Sequence, residues 1–118
     1  MTTTVHPNVI ADVAPTLSPF APASTDGLDK QHELGQFLTP NPIAEFMASL
    51  FETHRSEVHL LDAGAGAGAL SSALVRRLCR SYQKPNRNEV TAYEIDPAQI
   101  APLQETLDGC RRECELVG

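Results

Sequence analysis

At 118 residues the chain has room for one small domain. Nine Lys and Arg against 15 Asp and Glu leave a net charge of −6, which excludes the general basic footprint of a nucleic-acid-coating protein; any such contact has to be local or supplied by another chain. No apolar run approaches the roughly 18 residues of a membrane span, and no Lys or Arg precedes Lys30 to form a signal peptide's charged start, so a cytoplasmic protein with no membrane partner is expected.

Residues 1–30 hold Pro7, Pro15, Pro19 and Pro22, and only Asp12, Asp26, Asp29 and Lys30 carry charge. They offer too little apolar surface to offset their ordering entropy and read as a disordered arm. A strand or short helix around Val9–Val13, docking on a partner, is the alternative.

The folded part is expected over 31–118. Ile43, Phe46, Met47, Leu50 and Phe51 form one apolar stripe of a helix, opened by Asn41 as N-cap and Pro42 at the first helical position. Val58–Leu61 is a short apolar run ending at Asp62, in the pattern of a buried parallel strand. After a glycine loop, Leu70, Leu74 and Leu78 predict a helix over Ala69–Arg80. A polar loop then leads to a second strand, Val90–Ile95. Asp96 and Pro97 open a last helix, with Gln99 at capping-box spacing. Pro102 predicts a kink or a later start, since an interior proline costs about 3 kcal/mol. Glu115–Gly118 reads as the beginning of a third strand cut short. The order is that of an α/β fold with one βαβ unit and a helix in front of it.

Between the first strand and its helix run Ala63-Gly64-Ala65-Gly66-Ala67-Gly68. Glycines here let a ligand approach the backbone, next to the free N–H groups of a helix start. The spacing is GxGxG rather than the dinucleotide GxGxxG, and no Lys follows Gly68, which excludes a triphosphate P-loop. Asp62 before the loop repels pyrophosphate and suits a cofactor carrying a sulfonium and an ammonium. Glu94 at the end of the second strand can accept from both hydroxyls of a ribose. The alternative is a small-residue turn that serves close helix–strand packing. Asp96 reads as a helix cap.

These residues carry a resemblance. Leu60-Leu61-Asp62-Ala63-Gly64-Ala65-Gly66-Ala67-Gly68 resembles the first motif of class I S-adenosylmethionine-dependent methyltransferases, and Tyr93-Glu94-Ile95-Asp96-Pro97 resembles their second. Gly35-Gln36-Phe37-Leu38-Thr39-Pro40 is similar to the GQF-TP signature of N6-adenine DNA methyltransferases of restriction–modification systems. The resemblance covers about 31–118 and implies a Rossmann-like fold truncated after its first βαβ unit. It implies S-adenosylmethionine as cofactor, with Phe37, Thr39 and Pro40 flanking its methionine part, Gly64 and Gly66 along its homocysteine backbone, Glu94 on the ribose and Ile95 on the adenine. The bare residues of 35–40 also fit a hydrophobic clamp by Phe37 and Leu38 on the following helix.

No NPPY-type tetrapeptide follows, and Asn41-Pro42 precedes the glycine loop, so no catalytic residue is assigned. The expectation is the cofactor-binding part of an adenine DNA methyltransferase, inactive alone. Its DNA contacts would lie in regions absent from the chain, in a missing C-terminal half or in a partner subunit. Some features also resemble ribosomal-RNA adenine dimethyltransferases, whose segments before and after the loop are similar. A non-catalytic remnant that binds cofactor or a partner is the third reading. Arg76, Arg77, Arg80, Lys84 and Arg87 form an acid-free basic window, read either as phosphate contacts or as cations that complement a helix C-terminus. The four histidines show no metal-ligand spacing. Cys79, Cys110 and Cys114, odd in number and without CxxC spacing, read as reduced thiols.

Overall fold

The computed structural model describes residues 2–7 and 38–117. They form an α/β unit: β1 (Thr2–Pro7), α1 (Asn41–Ser49), β2 (Glu57–Asp62), α2 (Ala69–Arg80), β3 (Arg87–Glu94) and α3 (Pro97–Val117). The sheet is parallel, in the order β1-β3-β2. The central strand is therefore the one that carries Glu94.

β1 is a correction to the expected arm. Thr2, Thr3, Thr4 and Val5 are β-branched and suit a pleated strand, and what orders them is the open edge of β3, with Thr3 opposite Val90 and Pro7 opposite Glu94. A free backbone edge is a property of the folded sheet and leaves no trace in the composition of the arm. The region around Val9–Val13 and the rest of the arm lie outside the described residues.

Side chains alternate across the sheet. Val58 and Leu60 of β2 and Val90 and Ala92 of β3 share the face on which the helices pack. Val75 of α2 and Leu103, Leu107 and Cys110 of α3 complete the main cluster there, and Ala65 joins it from the glycine loop. A second cluster joins Ala48 of α1 to Leu74 and Leu78 of α2. α1 thus docks through its small residues, Ala44 and Ala48, while Ile43, Phe46, Met47 and Leu50 of the apolar stripe face outward. Its start also shifts by one residue. Pro40 is the cap, its carbonyl accepting from the N–H groups of Ile43 and Ala44 at 3.0 Å, so Asn41 lies inside the helix.

β2 is a half-buried edge strand rather than a fully buried one, with Leu61 65% exposed. α2 has the expected bounds. β3 starts earlier than expected and ends at Glu94, leaving Ile95 half-exposed beyond it. α3 runs unbroken past Pro102 and continues through Glu115–Val117, where a strand was expected. Leu103, Leu107 and Cys110 are fully buried along it. Burying a Leu is worth about 1.5–3 kcal/mol, enough to offset the proline's cost.

The thiol expectation is also corrected: Cys79 of α2 and Cys114 of α3 form a disulfide, and Cys110 alone remains a buried thiol. The packing of α2 on α3 brings the two Cα atoms to 5.5 Å, within disulfide range. Spacing along the chain carries no hint of that approach.

Candidate functional site

The loop 63–68 and the segment 94–96 meet at the carboxyl ends of β2 and β3, the rim at which open parallel sheets bind ligands. Glu94 is 4% exposed, and its carboxylate joins the two segments. Oε2 accepts from the Gly66 N–H at 2.5 Å and Oε1 from the Asp96 N–H at 2.8 Å. The Ala65 N–H donates to the Tyr93 carbonyl at 3.0 Å, which pins the loop to the end of β3 a second time. The buried Glu94 carboxylate thus bridges the glycine loop and the start of α3 through backbone donors on both sides. Asp96 caps α3, its Oδ1 accepting from the Ala98 N–H at 3.0 Å.

The three glycines differ. Gly68 has φ +86°, and a Cβ there would lie 3.0 Å from Leu103, so its role is close packing of α2 on α3. Gly66 has φ +54°, and a Cβ there would lie 3.2 Å from Leu38 Cδ2. Gly64 lies outside the left-handed region, and its Cβ position has no heavy atom of the described residues within 4 Å. Open space beside Gly64 is what backbone contact with a ligand requires.

Asp62, Gly64, Gly66, Glu94 and Ile95 therefore gather at one rim. Leu38, half-exposed over Gly66, brings the start of the 38–40 segment to it, and Thr39 and Pro40 follow directly into α1. Phe37 lies outside the described residues. Sequence reasoning missed two neighbours of this site. Leu38 was read only as a clamp on α1. Ser71, 1% exposed in the first turn of α2, donates to Asp62 Oδ2 at 2.5 Å. The one available signal was a polar residue inside the helical pattern that includes Leu70 and Leu74.

The basic window is engaged within the fold. Arg76 makes a two-pronged pair with Glu113 at 3.0 Å, and Arg80 approaches the same carboxylate at 3.7 Å. The hydrogen bond from Arg76 holds the Glu113 carboxyl below the ordinary glutamate range, while burial pushes the Cys110 thiol up. Arg87 pairs with Glu89 at 3.1 Å; Arg77 and Lys84 donate to the carbonyls of Phe51 and Val117 at 3.4 Å. These local partners favour the reading as helix-end cations. A surface hollow of about 860 Å³ lies between α1 and α2, lined by Glu45, His54, Arg77 and Gln83 among others, and does not include the glycine loop. Among the described residues no group of three or more His, Cys, Asp or Glu could hold a metal, and no helix is long and apolar enough to cross a membrane.

The chain is 36% identical over 91 residues to the Type II methyltransferase M.PstI of Providencia stuartii, an alignment covering 75% of this chain and 18% of that protein. It is 42% identical over 81 residues to the Type II methyltransferase M.BsuBI of Bacillus subtilis, covering 68% of this chain and 16% of the relative. No family model and no solved structure matches. Over most of its length the chain is thus similar to Type II methyltransferases, and it spans less than a fifth of the length of these relatives.

Proposed function

We propose that this rim binds S-adenosylmethionine and that the chain is the cofactor-binding part of an adenine-N6 DNA methyltransferase. The observation that carries the reading is the buried Glu94 carboxylate, tied to a glycine loop that leaves open space at Gly64. The residues present suit the cofactor: Asp62 would take its ammonium, Gly64 and Gly66 its homocysteine backbone, Glu94 its ribose hydroxyls and Ile95 its adenine ring. Thr39 and Pro40 would flank the methionine part. The fold is then the opening of a Rossmann-like class I methyltransferase domain.

When bound, S-adenosylmethionine supplies a methyl group made electrophilic by its sulfonium. This chain's residues bind and orient that group. Glu94 keeps the loop in place and would accept from the ribose, and Asp62 would offer its carboxylate to the ammonium. No NPPY-type segment is present to hold an adenine amino group, so the chain on its own transfers no methyl. The names of the relatives favour a DNA substrate over ribosomal RNA.

Calorimetry of the chain with S-adenosylmethionine tests the reading. Charge-assisted hydrogen bonds are worth roughly 1.5–3 kcal/mol, so Glu94→Ala should weaken binding about tenfold to a hundredfold. Unchanged affinity in that variant removes Glu94 from the site.

A further inference from the structure

We propose that Ser71 is a positioning residue for the cofactor, acting through Asp62. The proposal rests on the rim being the S-adenosylmethionine site and adds a determinant of how the amino-acid end of the ligand is recognised.

A serine inside a helix ordinarily bonds back to a carbonyl of its own helix. Ser72 does so, donating to the Ala69 carbonyl at 3.1 Å. Ser71, one residue earlier, donates instead to Asp62 Oδ2 at the carboxyl end of β2, across the whole glycine loop. At 1% exposure its hydroxyl has no water to turn to, so its proton is committed to that carboxylate. The terminal torsion of an aspartate is broad and roughly two-fold, and a bonded Oδ2 selects one setting of it. The plane of the Asp62 carboxylate is thereby fixed relative to the first turn of α2. Its remaining lone pairs are presented in one orientation to an ammonium lying along the loop. Holding a binding group by a second residue locked in the core is how a site keeps its geometry before the ligand arrives.

The chain should be titrated with S-adenosylhomocysteine, which carries the ammonium, and with 5′-methylthioadenosine, which keeps the nucleoside and lacks it. Ser71→Ala should weaken S-adenosylhomocysteine binding about threefold to tenfold and leave 5′-methylthioadenosine within about twofold, because the serine acts only through the Asp62 carboxylate. In an Asp62→Ala background, Ser71→Ala should cost nothing further, because coupled residues fail to add. Equal losses for both ligands, or full additivity with Asp62→Ala, would show Ser71 to be a packing residue and overturn the proposal. Failure of both ligands to bind the unaltered chain would instead overturn the site reading, and the proposal with it.

Discussion

Gly64 and Gly66 sit two residues apart in one loop under different constraints. At Gly66 the backbone is left-handed and Leu38 stands 3.2 Å from a Cβ, so a side chain is disfavoured with or without a ligand. At Gly64 neither obstacle exists among the described residues. Gly66→Val should therefore lower the melting temperature as well as ligand affinity, with backbone strain alone costing about 1–2 kcal/mol. Gly64→Val should leave the melt nearly unchanged and abolish S-adenosylmethionine binding, because its branched side chain takes the space of the ligand. Scanning calorimetry and binding on the two variants check the pair. A Gly64→Val chain that binds normally would make the loop a packing turn.

Among the elements, α2 and α3 are joined covalently as well as by packing. They share the main core cluster, the Arg76–Glu113 pair and the Cys79–Cys114 disulfide. The half-exposed ion pair contributes little at the surface, so burial and the cross-link dominate. The cysteines are 35 residues apart, and the chain-entropy model puts the cross-link at about 4 kcal/mol for a loop of that order. A reductant, or Cys79→Ser with Cys114→Ser, should lower the melting temperature by on the order of 10 °C or more. The melt with and without reductant, alongside a thiol count on the denatured chain, measures this. An unchanged melt with three titratable thiols in the reduced sample would show that packing alone holds the two helices.

For the whole molecule, the balance of exposed apolar surface decides behaviour. Phe46 and Leu50 on α1 are 64% and 67% exposed, and Leu61 stands on a strand paired on one side only among the described residues. Exposed apolar patches and unpaired strand edges drive association. Sedimentation of the chain should show mass rising with concentration, and Phe46→Glu with Leu50→Glu should shift it towards monomer without touching the glycine loop. A monomer across a hundredfold range of concentration would mean that this surface is covered in solution.

Local patterns settled much of this protein before any folding was considered. The spacing of Leu70, Leu74 and Leu78 defined α2, the apolar run before Asp62 placed β2, and the alternation of glycine with alanine marked the loop that joins them. Each follows from chain neighbours alone, through helical period, strand propensity and backbone freedom. Tertiary structure decided what depends on partners distant in the chain. Thr2–Pro7 became a strand because β3 offered a free edge. Pro102 stayed within α3 because the buried Leu103, Leu107 and Cys110 outweigh one lost hydrogen bond. Cys79 met Cys114 because two helices packed side by side. Ser71 reached Asp62 because the turn of the glycine loop carries the first turn of α2 back to the end of β2. Residue type and spacing constrain the first set directly; the second arises when backbone edges and side chains from separate elements come within bonding distance, which no local pattern records.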